Sequence, residues 1–313
     1  MNFPIFPHFR KLVPEDRDEY LNLYGLVEPY SDFSFNNLII WLDLNDDLEV
    51  SQYQGCILLR FTNPFEHTKK ERAYTVLGNK NCLEVVQSIF EHQQSEKEVP
   101  KLIMVPECVV SDMLQTHDLP QNLVIRASRN HCDYIFNVNE VVAAQGGAYE
   151  ELRRSLRLFA KKNAGEVTVQ TFDLGQPETH ARLLAALKDW QKDEGFVAND
   201  PTFDEEKALK RYFAFNKACP AVCQGFFLDG KLFGFTIIHY PPQKDWVIFN
   251  HLKCSRDVPH GYDFMYYATM CQLKTQQITS VNFEQDLGIT GLSLHKRHLG
   301  RSDYLYRYDV SRF

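Results

Sequence analysis

The chain has 313 residues, 44% hydrophobic and 13% aromatic, with 34 basic and 41 acidic side chains and a formal net charge of −7. This excludes collagen-like, mucin-like, rod-like and wholly disordered chains, and it allows a substantial core without metals or disulfide staples. The length predicts about two domains. The N-terminus holds Pro4 and Pro7 and no long apolar run, so no secretion signal is expected. No window approaches the roughly 20 apolar residues of a membrane-spanning helix. The eight cysteines are scattered, from Cys56 to Cys271, and are expected as free, mostly buried thiols of a soluble cytoplasmic protein.

In chain order, Pro14 followed by Glu15, Asp16 and Asp18 predicts a short helix with Tyr20, Leu21, Tyr24 and Leu26 inward. Ser31–Trp41 reads as a core segment of helical or mixed character. Leu48–Tyr53 and Cys56–Phe61 read as two strands of a hairpin around Gln54-Gly55. Lys80–His92 predicts a helix with Leu83, Val86 and Ile89 on one face. Leu102–Val105 is a short strand, Cys108–Leu114 a short helix, and Leu123–Arg126 and Cys132–Phe136 are strand-like. No dinucleotide fingerprint occurs in this half.

Asn139–Lys162 reads as one helix, with Tyr149, Leu152, Leu156 and Phe159 on an apolar stripe and Gly146-Gly147 ahead of it. Arg153, Arg157 and Lys161 recur every fourth residue on a neighbouring face. Val167–Phe172 is then a strand and His180–Trp190 a helix. Thr202 with Glu205 forms a capping box that opens a further helix, which Pro220 ends. Val222–Leu228 and Leu232–His239 flank Asp229-Gly230, the strongest local signal, because Asp-Gly suits the two φ > 0 positions of a tight hairpin. Trp246–Leu252 and Ile278–Phe283 are strands, Tyr262–Leu273 and Ile289–His298 helices, and Tyr304–Val310 a last strand. This order predicts an α/β (α+β) fold with a mixed, mostly antiparallel sheet flanked by helices.

The helix, hairpin, strand, helix, strand arrangement resembles the acyl-CoA N-acyltransferase (GNAT-type) fold. Four stretches look more specifically like the family of the C-terminal domain of phosphatidylglycerol lysyltransferases, which has soluble bacterial members of undefined function. They are Ser31-Asp32-Phe33-Ser34-Phe35-Asn36-Asn37-Leu38 with Trp41, Gly146–Phe159, the hairpin Gly225–Phe235, and Asn282–Leu292, followed by Lys296 and Leu299. The resemblance implies tandem GNAT-like domains, set at 1–145 and 146–313. It further implies a transferase that moves an acyl or aminoacyl group to an amine or hydroxyl acceptor. The donor would be a coenzyme A thioester or aminoacyl-tRNA, as co-substrate rather than tightly bound cofactor. The alternative is a non-catalytic binding module that keeps the fold. Relatives show a lysine-rich stretch where this chain has Gly146-Gly147-Ala148-Tyr149-Glu150-Glu151, so the early lysines are absent.

Three groups are candidate sites. Arg153, Arg157 and Lys161 offer donors that match phosphate oxygens, or form a solvated face paired with Glu150 and Glu151. Asn282, Glu284 and Asp286 follow a strand, where ligands meet side chains in open sheets. Glu284 reads as a general base and Asp286 as an orienting group or helix cap; the other reading is that both acids fix the turn and pair with Lys296, Arg297 or Arg301. The junction Arg256-Asp257-Val258-Pro259-His260-Gly261-Tyr262 stands where GNAT-like folds cradle a pyrophosphate at a helix N-terminus, but it has only Gly261 with Arg256 five residues before it, and it also reads as a surface loop. No metal site is expected: Cys219 and Cys223 lack a second pair, and His295 and His298 lack an intervening acid. No serine-hydrolase elbow or P-loop occurs.

Overall fold

The computed structural model describes residues 3–25, 27–42, 47–63, 71–116, 119–163, 165–194 and 205–313. The strands are β1 (Arg10–Lys11), β2 (Glu49–Tyr53), β3 (Cys56–Thr62), β4 (Arg72–Leu77), β5 (Lys101–Pro106), β6 (Leu123–Ala127), β7 (Asp133–Asn137), β8 (Val167–Phe172), β9 (Val222–Leu228), β10 (Lys231–His239), β11 (Trp246–Cys254), β12 (Ser280–Asn282), β13 (Asp303–Leu305) and β14 (Arg307–Arg312). The helices are α1 (Arg17–Tyr24), α2 (Phe35–Ile40), α3 (Cys82–Ser95), α4 (Glu107–Leu114), α5 (Val138–Ala143), α6 (Glu150–Lys162), α7 (Pro177–Glu194), α8 (Glu205–Ala214), α9 (Gly261–Thr275) and α10 (Thr290–His298). Leu26 and Thr202 of the expected helix face and capping box lie outside the described residues.

The chain divides into two compact units, residues 1–133 with 304–313, and residues 134–303. The division falls ahead of the expected 145/146 boundary, and the C-terminal strand belongs to the first unit. In that unit β1-β2-β3-β4 form an antiparallel sheet, and β14 lies between β5 and β6 in a second one. Gln54 (φ 51°) and Gly55 (φ 82°) make the tight turn that sets Tyr53 opposite Cys56. β4 was not anticipated: after Arg72 every residue is buried, so it lacks the two-residue alternation that marks a half-exposed strand. Its Tyr74 and Val76 pack with Val86, Ile89 and Phe90 of α3 and Val109 of α4.

The Ser31-Asp32-Phe33 stretch holds the C-terminal strand in this unit. Arg307 is fully buried; its guanidinium lies 2.8 Å from Asp133 and 3.1 Å from Asp32. Asp133 in turn accepts from the Ser31 N–H at 2.7 Å and the Ser31 hydroxyl at 2.9 Å. Burial alone would lower the Arg307 pKa, but the carboxylates of Asp133 and Asp32 outweigh it and hold the pKa above the ordinary value. The expected single strand Tyr304–Val310 breaks at Tyr306, whose carbonyl accepts from the Tyr30 hydroxyl at 2.9 Å.

In the second unit the strands run in the order β7-β12-β11-β10-β9-β8. All pairs are antiparallel except β11 with β12. Asp229 (φ 48°) and Gly230 (φ 77°) make the β9–β10 turn as expected; only residues that tolerate a left-handed backbone fit there. The expected helix Asn139–Lys162 is broken in two. Ala144 turns left-handed (φ 45°) at the end of α5, and the chain re-enters a helix at Glu150. Leu152 and Phe159 of the α6 stripe are buried, and Phe159 stacks on Phe264 of α9 at 4.1 Å between ring centres.

Candidate functional site

The parallel pairing of β11 and β12 runs only from Trp246 opposite Ser280 to Ile248 opposite Asn282. β12 then ends, while β11 continues to Cys254, so the two strands part. The segment after β12 turns at the opening. Glu284 (φ 56°) and Leu287 (φ 52°) both hold left-handed backbones, a strain that persists only where the surroundings enforce it. Here they do. The Glu284 N–H donates to the buried Asn282 side chain at 2.8 Å, and its carbonyl accepts from the Tyr134 N–H at 3.0 Å. Asp286 accepts from the Gly288 N–H at 3.0 Å and the Tyr134 hydroxyl at 2.6 Å. Lys296 of α10, also buried, donates to the carbonyls of Phe283 and Gln285.

The structure therefore narrows the expected trio. Asn282 and Asp286 are 0% and 3% exposed and brace the turn, whereas Glu284 is half-buried and keeps its carboxylate at the opening. Its Oε1 accepts from the Asn250 amide N–H at 2.9 Å, and the Asn250 carbonyl oxygen accepts from His239 Nδ1 at 2.6 Å. A bulge makes this chain possible. Ile237 pairs with His251 and Ile238 with Phe249, which leaves Asn250 as the extra residue of β11. Phe249 packs on Phe283 at 5.1 Å, on the side of α9. Beyond the bulge, His251 meets Tyr212 of α8 at 5.8 Å, and Lys253 lies over Trp190 of α7 while bonding Glu205 of α8 at 2.6 Å.

Burial sets the protonation here. It pushes His239 down to about 4 and, with help from Lys253, His251 down to about 3, so both rings are neutral at pH 7. Burial, then the Glu284 charge, holds the Tyr212 phenol well above its ordinary value, so it remains a hydroxyl. That hydroxyl is buried and has no hydrogen-bond partner among the described residues. The opening thus offers a carboxylate that can accept a proton, and the fully buried Tyr212, packed against His251, keeps a neutral phenol.

The other expected residues lie elsewhere in the unit. Arg153 Nη1 donates to the carbonyls of Ala144 and Gly146 at 2.6 and 2.8 Å, and so closes the end of α5. Arg157 and Lys161 are exposed, without an ion-pair partner among the described residues. Among the described residues none of Arg153, Arg157 and Lys161 forms the expected pair with Glu150 or Glu151; Glu151 pairs instead with Arg154, at 3.1 Å. Arg256 sits on an exposed turn. Gly261 lets α9 start against the sheet, because a Cβ there would lie 2.7 Å from Cys254 Sγ. Tyr262 packs edge-on against His295 at 4.3 Å. The start of α9 does carry a pocket of about 160 Å³, between Glu151 and Arg154 of α6, His260 and Asp263 at α9, and His295 and His298 of α10. Ser155 donates to Asp263 and meets His260 Nδ1 at 2.9 Å. The pocket thus mixes the carboxylates of Glu151 and Asp263, the second accepting from Ser155, with donor-capable side chains on Arg154, His260, His295 and His298.

The family pattern described as "Phosphatidylglycerol lysyltransferase, C-terminal" matches residues 69–298. The chain belongs to this family. Among solved structures it is similar to a conserved protein of unknown function from Bacteroides thetaiotaomicron, with 20% identity, a TM-score of 0.82, and coverage of 97% of this chain and 99% of that one. It is also similar to the C-terminal domain of a putative lysylphosphatidylglycerol synthetase from Agrobacterium fabrum (13% identity, TM-score 0.65, coverage 96% and 93%). L-PGS from Bacillus licheniformis is a third (14% identity, TM-score 0.64, coverage 97% and 93%). No curated protein matches. At these identities the likeness is one of fold, and that fold is the expected mixed α/β one, with antiparallel and mixed sheets flanked by helices. Among the described residues no helix is long and apolar enough to cross a membrane, and no group of three or more His, Cys, Asp or Glu side chains is placed to hold a metal ion. Within the family motif after β12, sequence reasoning named Glu284 but missed its partners His239, Asn250 and Tyr212. The signal for Asn250 was the polar pair Asn250-His251 inside the otherwise apolar run Val247–Leu252.

Proposed function

We propose that the second unit is an acyl- or aminoacyl-transfer centre, with Glu284 as the general base. The observation that carries this is the Glu284 carboxylate, fixed by its backbone and by the Asn250–His239 chain where β11 and β12 part. Glu284 takes the proton from an attacking amine or hydroxyl as the nucleophile adds to the carbonyl carbon of the activated donor, neutral donors such as the Tyr212 hydroxyl meet the tetrahedral oxyanion, and the intermediate then collapses with cleavage of the bond to the carrier, whose oxygen or sulfur leaves with the proton that Glu284 gives back. Family membership, and a neighbour described as the C-terminal domain of a putative lysylphosphatidylglycerol synthetase, support transfer of an aminoacyl group. The Asp263 carboxylate at the start of α9 weighs against a coenzyme A pyrophosphate there and therefore favours an aminoacyl ester, such as aminoacyl-tRNA, as donor. No tightly held cofactor is required; donor and acceptor are both substrates.

The test is an incubation of the protein with a mixed pool of charged tRNA and a panel of amines and hydroxyl compounds, with labelled amino acid followed into product, beside a parallel set with acetyl-CoA. Transfer from charged tRNA that Glu284→Gln abolishes is the expected result. Transfer from acetyl-CoA alone would reverse the choice of donor. Binding of tRNA that raises the melting temperature, with no transfer to any acceptor, would favour the non-catalytic binding module.

A further inference from the structure

We propose that β8 is a docking edge, along which a second copy of this chain pairs antiparallel, so that one sheet runs through the second units of both copies. β8 (Val167–Phe172) ends the sheet of the second unit and is bonded on one flank only, by β9. Thr168, Val169, Gln170 and Thr171 are all exposed, Val169 by 45%. Neither face of the strand is covered, so its β-branched side chains bury little in a single chain. The hairpin shows which peptide groups lie on the free flank. Leu228 and Lys231 bound the tight Asp229-Gly230 turn, so the peptide groups of Leu228 point at β10 and those of Phe227 at β8. The Asp229 N–H, which donates to the Glu166 carbonyl at 3.0 Å, gives the same alternation. Thr168, Gln170 and Phe172 therefore bond to β9, and the N–H and C=O groups of Val167, Val169 and Thr171 point out of the sheet.

An open row of this kind pairs with other strands unless the edge is short, charged, interrupted by proline or covered. The first unit uses those devices at its sheet edges. β1 is two residues long and basic, β4 is buried beyond Arg72, β5 carries Lys101 and Pro106, and β6 carries Arg126. β8 has none of them: Val-Thr-Val-Gln-Thr-Phe holds no charge and no proline. Another β8 is the occupant that fits, because the strand complements itself. A two-fold axis at Val169 sets it opposite Val169 of the second copy, and sets Val167 opposite Thr171 in both directions. All of these are outward-pointing residues, so each pair exchanges backbone hydrogen bonds. Their β-branched side chains meet on one face, and Thr168 meets Gln170 on the other. A copy brings no charge into the paired stretch, whereas a charged strand would find no counter-charge there. Each copy spends its one open edge, so the assembly closes as a dimer. A contact one strand long is at the small end of specific interfaces, and the dimer therefore forms and dissociates with concentration.

The test is analytical ultracentrifugation of the native full chain from micromolar to millimolar concentration, with amide hydrogen exchange followed at both extremes. Reductant keeps the free cysteines from cross-linking, and physiological salt screens the exposed Glu166 and Asp173 at the two ends of the strand. The expected result is a monomer–dimer equilibrium, with exchange at Val167, Val169 and Thr171 slowing as the dimer fills. Val169→Lys sets two ammonium groups face to face at the axis and should raise the dissociation constant about tenfold or more, with the melting temperature of the monomer unchanged. Val167→Lys combined with Thr171→Glu sets opposite charges across both outer pairs and should dimerise at least as tightly as the wild type. A monomer at every concentration, assemblies larger than a dimer, a dimer that Val169→Lys leaves intact, a double variant that stays monomeric, or exchange at the three amides that is independent of concentration would each overturn the proposal. The wild-type exchange decides even if a variant fails to fold.

Discussion

The two units pass through the same order of elements and end with different contents. In the first, the antiparallel strands β2, β3 and β4 lead into α3, β5 and α4; in the second, β9, β10 and β11 lead into α9, β12 and α10. In each, the meander is followed by a helix and a further strand. In the first unit the residues there are Val76, Val105, Val109 and Val110, all in one apolar cluster. In the second, the meander strands carry His239 and Asn250, Glu284 follows the further strand, and Tyr212 comes from α8 ahead of the meander. The architecture is therefore no guarantee of chemistry. What differs is one extra residue in β11, which turns a polar side chain toward a strained carboxylate, and the buried hydroxyl and imidazole groups gathered around it.

The largest expected effect tests that difference directly. Glu284→Gln keeps the shape and the Asn250 contact but removes the base, so the transfer rate should fall by about 10²–10⁴-fold with the melting temperature unchanged. Asn250→Ala, which removes a positioning group, should cost on the order of 10- to 100-fold, mainly in kcat, and should shift the pH profile of the Glu284 limb. In the first unit, Cys108→Ala should alter stability alone. An Asn250→Ala variant with unchanged kcat and pH profile would reduce the bulge to a feature of folding.

Next in size is the ion pair of the first unit. Asp133→Ala leaves the Arg307 guanidinium buried with only Asp32 as counter-charge, and should destabilise the protein by about 3–5 kcal/mol in urea melts. Asp32→Ala, at a side chain 26% exposed, should cost less. Equal losses would mean that the network acts as one unit, without a dominant pair.

Much of this was legible in the chain. The Asp229-Gly230 hairpin, the apolar stripe of α6 and the acidic motif after β12 were each written locally, in residues a few positions apart. The Ser31-Asp32-Phe33 motif was visible, but its purpose was not, because its partners Asp133 and Arg307 are remote in sequence. The His239–Asn250–Glu284 chain failed to show for a similar reason. It depends on a register shift between β10 and β11, and periodicity does not reveal where a bulge falls. Arg153 was misjudged with Arg157 and Lys161 because spacing places all three on one helix face and cannot show that one of them turns back to close the preceding helix.

The two buried histidines of the second unit predict a pH response. Each has a folded-state pKa well below its unfolded value of about 6.5. The unfolded chain therefore binds more protons as pH falls through 6.5, and stability present above that pH is lost toward pH 4. At pH 5 each ring should cost about 2 kcal/mol relative to pH 8. Denaturant melts of the wild type and of His239→Asn should converge at low pH and diverge at neutral pH. Parallel curves would show that His239 keeps an ordinary pKa in the folded state, with no shift from burial.

The smallest expected effect concerns the basic face of α6. Arg153 spends its guanidinium on the carbonyls of Ala144 and Gly146, whereas Arg157 and Lys161 are exposed without ion-pair partners among the described residues. If tRNA lies along this helix, Arg157→Ala with Lys161→Ala should weaken binding and reduce the slope of log K against log salt by about 0.7–0.9 for each lost phosphate contact. Arg153→Ala should leave that slope nearly unchanged and lower the melting temperature instead, because it opens the end of α5. The two readouts separate a charge that meets a ligand from one that closes a helix. Equal slopes in the double variant and the wild type would remove α6 from the donor site and leave the opening at Glu284 to hold the donor by its reacting end alone.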